Sequence, residues 1–319
     1  MPSEFDLIRR HFTSPIAHTA LGVGDDAALL APASGMQLAV TTDTLVAGTH
    51  FFADAAPQDL GWKTLAVNLS DLAAMGATPR WATLALTLPG VDEAWLTEFA
   101  AGFFECAGRY GVDVVGGDTT HGPLAMTVTA FGEVPAGAAI TRDGGRSGDD
   151  LWVSGQPGLA VLGLAWLTDS ALRAGANDYS PLRALHHPTP RVELGTALRG
   201  LAHAMIDVSD GLAGDLGHLC ERSRLGATLE AGALPLAALR ALGAGEVLAR
   251  RCLLAGGDDY ELLFAAPVAA REEIEAIARR LDLPLTRIGQ LEAVAGPIRL
   301  READGSVHEI AASGFDHFG

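Results

Sequence analysis

A stretch dominated by glycine and by small and charged residues, PAGAAITRDGGRSGDD at 135–150, interrupts the chain near its middle. Such punctuation does not run through the interior of a helix or strand and marks a boundary between separately packed units. At about 150 residues per domain, 319 residues make two domains, each large enough to bury its own core. The expected units are 1–137 and 138–319.

Before the break, strands and helices alternate. LAVTTDTLV (38–46), TLALTLP (83–89), VDVV (112–115) and AMTVTAFGEV (125–134) read as strands, rich in β-branched and apolar residues. PQDLGWKTLAVNLSDLAAMG (57–76) begins with proline and ends with glycine, and DEAWLTEFAAGFFECAGRYG (92–111) starts acidic and closes on Arg109; both read as helices. After the break, strands are expected at 150–155, 204–208, 227–231, 260–266 and 298–302, and helices at 159–174, 190–202, 210–224 and 270–281. The order has no regular βαβ run, so the fold class is α+β, with two mixed domains. Asn68-Leu-Ser-Asp71 and Asp207-Val-Ser-Asp210 share a pattern, a faint hint of duplication.

Composition narrows the function. With 22 basic against 39 acidic residues the net charge is −17, which repels nucleic acids and anionic membranes and favours bound cations. Cys106, Cys220 and Cys252 are far apart and form no CxxC, which reads as a reduced, cytoplasmic protein without a zinc site. No run of about 18 apolar residues suits a membrane span, and the opening residues lack the apolar core of a signal peptide. Lys63 is the only lysine. Its place in the 57–76 helix suggests a structural or ion-pair role.

The acids gather beside Gly, Ser or Thr at the ends of apolar stretches: GVGDDAAL (22–29), TTDTLV (41–46), NLSDLAAMG (68–76), VVGGDTT (114–120), DVSDGLAGDLGHL (207–219) and GGDDYELLF (256–264). Carboxylates there suit a hard cation that keeps waters or phosphates in its remaining positions, and glycine lets backbone N–H groups approach a phosphate. Each segment also has a plainer reading. Asp25 and Asp26 fit a turn, and Asp71 with Asn68 fits a solvated helix face. Asp118 and Asp258 fit caps or turns; Asp207 and Asp210 fit a helix start capped by Ser209. Turns alone account poorly for all six together. No EF-hand loop, P-loop, protein-kinase motif set or serine-hydrolase elbow occurs.

In this order, GVGDDAALL, TTDTLVAGTHF, KTLAVNLSDLAAMGATP, GGDTT, DVSDGLAGDLGHL, GGDDYELLF and GFDHF closely resemble the thiamine-monophosphate kinase family, from about residue 4 to the C-terminus. That family lies in the aminoimidazole ribonucleotide synthetase-like superfamily. The resemblance implies two α+β domains of that type, with the N-terminal sheets of a homodimer closing into a shared barrel. It implies phosphorylation of thiamine monophosphate by ATP, giving thiamine diphosphate and ADP. It implies Mg²⁺ ligands at Asp26, Thr41, Thr42, Asp43, Asp71, Asp118, Asp207 and Asp210, with Asp43, Asp118 and Asp210 central to catalysis. ATP contacts are implied at Gly117, Asp118, Arg142 and Ser209, and thiamine phosphate contacts at His50, Asp258 and Phe315. Asp258 stands where Glu is usual, and Phe315 where Tyr or Trp is usual. The alternatives are aminoimidazole ribonucleotide synthetase or a silent nucleotide- or metal-binding regulator.

Overall fold

The computed structural model describes residues 4–174, 176–311 and 314. The chain divides into two compact units, Met1–Leu72 with Ala77–Gly137, and Ala73–Gly76 with Ala138–Gly319. No described helix is long and apolar enough to cross a membrane.

The first unit opens with α1 (Glu4–His11) and a small hairpin of β1 (Thr19–Leu21) and β2 (Leu29–Leu30). Then come β3 (Met36–Val46), α2 (Pro57–Ala74), β4 (Thr78–Leu88), α3 (Glu93–Tyr110), β5 (Asp113–His121) and β6 (Ala125–Pro135). The four long strands form one sheet in the order β3-β6-β4-β5. In β4 and β6 alternate residues are buried, Leu84, Leu86, Met126, Val128 and Ala130 among them, as expected when one face of a sheet is covered. The opposite face carries threonines: Thr42 Oγ1 meets Thr129 Oγ1 at 2.9 Å and Thr44 Oγ1 meets Thr127 Oγ1 at 2.8 Å, both exposed.

Helices α2 and α3 cross with no room for a side chain at the contact. A Cβ on Gly61 would lie 2.0 Å from the Phe99 carbonyl oxygen, and one on Gly102 would lie 1.8 Å from that of Gln58. Asp92 caps α3, accepting from the Ala94 and Trp95 N–H groups.

Asp113, buried at the start of β5, holds the β1 segment. It accepts the Ala17 N–H at 2.8 Å, the His18 N–H at 2.6 Å and the Thr19 hydroxyl at 2.7 Å. Burial alone would raise its carboxyl; the Ala17, Thr19 and His18 hydrogen bonds outweigh that and hold it below the ordinary range. A lowered folded value stabilises above the unfolded value and is lost as pH falls through the folded one. Asp113→Ala is therefore expected to cost about 2 kcal/mol in urea unfolding at pH 7, with the gap to the parent closing in acid. A gap independent of pH would show that the charge does not matter.

The second unit holds β7 (Asp150–Ser154), α4 (Leu159–Thr168), α5 (Ser180–His186), α6 (Val192–Ala197), β8 (Ala204–Val208), α7 (Leu212–Ser223) and β9 (Gly226–Glu230). These are followed by α8 (Ala237–Ala241), α9 (Glu246–Ala255), β10 (Glu261–Ala266), α10 (Arg271–Leu281), β11 (Leu285–Glu292), β12 (Ile298–Arg301) and β13 (Val307–Ile310). Seven strands form one sheet in the order β13-β12-β9-β11-β7-β10-β8. Strands β7 and β10 and the edge strand β8 are buried on both faces: Leu151, Ile206, Val208 and Leu263 pack with Leu216, Leu219 and Leu253 in one core, and Trp152, Met205, Leu262 and Phe264 pack with Leu194, Ile274 and Ile277 in another. That explains why β10 is continuously apolar after Glu261 and why Asp207 is the one charged residue of β8. The antiparallel pairing of Glu261 with Val208 brings the end of β8 beside the start of β10.

Some expectations change. The expected strand at 112–115 continues to His121, because the glycines of GGDTTH permit close strand pairing. The expected helix 159–174 stops at Thr168, where Asp169 adopts extended backbone. The helix expected at 190–202 spans only Val192–Ala197. Helices α1, α5, α8 and α9 and strands β1, β2, β11 and β13 lie outside the expected elements. The two halves of the Asn/Asp-Leu/Val-Ser-Asp echo lie within a helix and across a strand end, so they are not equivalent elements.

Candidate active site

In the first unit, strand alternation decides which motif residues meet. Thr41 and Asp43 share the face of β3 turned to α2. The Thr41 hydroxyl donates to Asp71 Oδ2, and Asn68 Oδ1 accepts the Asp43 N–H at 3.0 Å. Asn68 is fully buried, and its side-chain N–H donates to the Thr64 carbonyl at 3.2 Å. The solvated-face reading of Asn68 and Asp71 is thus corrected: the pair faces β3. Thr42 points to the other face, against Thr129, so Thr41 and Thr42 do not turn their hydroxyls to one ion.

Asp118 is exposed on β5, the far edge of the sheet. Its row runs through Ala85 and Thr127 to Thr44, whereas the Asp43 row runs through Val128 and Leu84 to Gly117. Three strand spacings, about 14 Å, separate the two strands. Within one copy of the sheet, Asp43 and Asp118 do not come together. Asp118 is neither cap nor turn but strand. Gly117 has φ +156°, and a Cβ there would lie 1.9 Å from the Leu84 carbonyl oxygen, so only glycine fits. Asp26 is exposed, its N–H on Asp25 Oδ1 at 2.9 Å. His50 Nδ1 accepts the Val46 N–H at 3.0 Å, which puts the ring proton on Nε2. Lys63 is buried in α2.

In the second unit, the β8–α7 connection and the turn into β10 are laced together. The Asp258 N–H donates to the Ser209 carbonyl and the Tyr260 N–H to the Val208 carbonyl, both at 2.8 Å. Asp258 and Tyr260 have φ of 68° and 51°, a left-handed backbone that non-glycine residues adopt at a cost. The Tyr260 hydroxyl donates to Asp258 Oδ1 at 3.1 Å. Between them, Asp259 accepts the Gly158 N–H at 2.6 Å and the Ala160 N–H at 3.3 Å at the start of α4. Burial raises its carboxyl well above the ordinary range despite those two bonds. Glu261 takes Arg191 in two bonds of 2.6 and 2.5 Å.

Asp207 is buried on β8, while Ser209 and Asp210 are half-buried just beyond it. Ser209 is not the helix cap; Gly211 occupies that position. Asp215 Oδ2 accepts the N–H groups of Ser209 and Asp210, each at 3.1 Å. Burial pushes the Asp215 carboxyl up to about 7, opposed by the Asp210 amide and, more weakly, by the charge of Arg142. Arg142, exposed in the 135–150 stretch, thus lies near the Ser209 loop. Phe315 lies outside the described residues.

Sequence reasoning missed Asn68 as an anchor, and also Asp215, Asp259 and Tyr260. Asp215 left a signal: it falls on the apolar stripe of Leu212, Leu216 and Leu219, where an acid is buried.

Among the described residues no three His, Cys, Asp or Glu side chains gather into a metal cage. The acids that meet come in ones and twos, with hydroxyl and backbone oxygens beside them. This all-oxygen, incomplete set fits a hard cation that keeps waters and phosphate oxygens as most of its ligands. The three cysteines are buried and unpaired.

Residues 24–134 match the family model for the N-terminal domain of AIR synthase related proteins, and residues 146–299 match that for the C-terminal domain. Thiamine-monophosphate kinase of Escherichia coli strain K12 is 46% identical over 99% of this chain and 98% of its own. This chain belongs to the thiamine-monophosphate kinase family. The structure of thiamine-monophosphate kinase from Stenotrophomonas maltophilia K279a is 48% identical, with TM-score 0.83 over 91% of this chain and 92% of that one. AaThiL complexed with AMPPCP and TMP is 29% identical, with TM-score 0.76 over 98% and 96% of the two chains. The two-domain α+β fold is that of the family.

Proposed function

We propose that this chain transfers the terminal phosphoryl group of ATP to thiamine monophosphate, releasing ADP and thiamine diphosphate, in the last step of making that cofactor. The observation that carries it is the 46% identity with a thiamine-monophosphate kinase along 99% of the chain. AaThiL, of the same fold, is complexed with AMPPCP and TMP.

Both substrates are anions, so the main barrier is repulsion between phosphates. Asp26, Asp43, Asp71 and Asp118, with oxygens of Thr41 and Thr42, would hold Mg²⁺ in the first unit, and Asp207 and Asp210 in the second. Mg²⁺ supplies charge neutralisation and in-line alignment of the phosphates when bound. Gly117, Asp118, Arg142 and Ser209 would contact ATP. His50, Asp258 and Phe315 would contact thiamine monophosphate, the aromatic face and the acid answering its cationic ring. Asn68 keeps the Asp43 backbone in place, and the Tyr260 hydroxyl orients Asp258.

The reading includes a homodimer with a barrel shared between N-terminal sheets. The separation of Asp43 and Asp118 supports it, since a second copy can bring its own Asp118 to the first copy's Asp43. The cytoplasm is the compartment this reading implies.

The acceptor oxygen is already anionic near neutral pH, because a phosphate monoester loses its second proton near ~6. No general base is needed. ADP release is expected with thiamine monophosphate, and at least ~10²-fold more slowly with thiamine, whose hydroxyl would need a base and lacks the bridging phosphate. kcat/KM is expected to rise through about pH 6 and then level. Efficient use of thiamine, or a pH limb that disappears in His50→Asn, would overturn the anionic-acceptor mechanism. ADP formation without thiamine monophosphate would overturn the reading itself.

A further inference from the structure

Asp215 has no part in the roles above, yet it is 3% exposed, a polar side chain buried on the apolar stripe of α7 beside Leu212, Leu216 and Leu219. Burying a polar side chain costs free energy unless hydrogen bonds compensate it. Its Oδ2 takes two consecutive amides, Ser209 and Asp210. These residues lie between the end of β8 at Val208 and the start of α7 at Leu212, where neither ladder nor helix pairs their N–H groups. The other side of the same connection is also held: the Ser209 carbonyl takes the Asp258 N–H at 2.8 Å. A Cβ on Gly257 would lie 2.2 Å from that carbonyl oxygen, and one on Gly211 would lie 2.9 Å from the Gly256 carbonyl oxygen. The connection is thus gripped through its carbonyl by the turn into β10 and through its amides by Asp215.

We propose that Asp215 is a positioning residue for nucleotide binding: by holding both amides it sets where the Ser209 hydroxyl and the Asp210 carboxylate point. The proposal rests on the reading that Ser209 meets ATP and Asp210 meets Mg²⁺. The asparagine variant keeps an oxygen that both amides can share, whereas the alanine variant removes the acceptor and leaves two amides unpaired. The glutamate variant keeps the charge but displaces the carboxylate by one methylene.

The test measures AMPPCP binding by calorimetry in the presence of Mg²⁺, KM for ATP, KM for thiamine monophosphate, and folded fraction by circular dichroism. Asp215→Ala is expected to weaken AMPPCP at least ~10-fold and raise KM for ATP in step, with KM for thiamine monophosphate changed less than ~2-fold; Asp215→Asn is expected to recover most of the loss. If the alanine variant does not fold, Asp215→Glu carries the same expectation of weakened AMPPCP binding with the fold kept. Parental AMPPCP affinity in the folded alanine variant, or in the glutamate variant, overturns the positioning role. So does an equal loss towards both substrates, which a general structural defect would cause. Asp210→Asn separates the two levels. Unchanged binding of Mg²⁺ and AMPPCP there refutes the underlying reading, whereas a loss there with none in the Asp215 variants refutes only the positioning role.

Discussion

Replacing Asp43 with asparagine is expected to lower kcat with thiamine monophosphate and ATP at least ~10²-fold while leaving the fold intact. The substitution preserves size and removes one negative charge from a half-buried strand position. Asn68 Oδ1 accepts the Asp43 N–H, a backbone bond that the substitution leaves in place. Near-parental turnover at ordinary Mg²⁺ would remove Asp43 from the metal set. A sharper result comes from mixing. If the site takes Asp43 from one copy and Asp118 from the other, Asp43→Asn and Asp118→Asn are each inactive alone. Random reassortment makes half the dimers mixed, each with one intact site of two, so roughly a quarter of parental activity returns. A mixture no better than its components would confine both acids to one copy or separate their roles.

Gly102→Ala is expected to destabilise the first unit by about 3 kcal/mol net. Two effects compete. Alanine is the better helix former by about 1 kcal/mol. Against that, its Cβ would lie 1.8 Å from the Gln58 carbonyl oxygen, a backbone atom that moves only if α2 and α3 separate. Separation would cost contacts along both helices, so sterics win. Gly108 lies in the same helix, and a Cβ there would meet nothing within 4 Å. Gly108→Ala is expected to stabilise by up to ~1 kcal/mol. Urea unfolding of the pair measures both signs, and equal effects would refute the close-crossing argument.

Much of the architecture was legible where local pattern and burial agree. β3, α2, α3 and β6 stand out by alternation or capping, and β8 and β10 by short apolar runs interrupted only by Asp207 and opened by Glu261. β5 was read short because Gly116 and Gly117 look like a loop, yet Gly117 is required by the close approach of β4. β11 was missed because a register shift between Arg287 and Gly289 breaks its alternation. For the site, the motifs exposed the acids but not their company. The contact of Thr41 with Asp71 joins residues thirty apart in sequence. The distance between Asp43 and Asp118 depends on strand order, which no local pattern encodes.

That strand order also bears on how the chain comes to be folded. β3 is the first long strand of its sheet to be made, and within the sheet it pairs only with β6, the last. Asp43 meets Val128, 128 − 43 = 85 residues later. At ~5–20 residues per second, roughly 4–17 s of synthesis pass before the partner exists. Throughout that interval an eleven-residue, β-prone segment without lysine, arginine or proline has both of its hydrogen-bonding edges open. Yield in the cell is therefore a race between translation and self-association of nascent β3, and slowing the ribosome downstream of it lengthens the exposure.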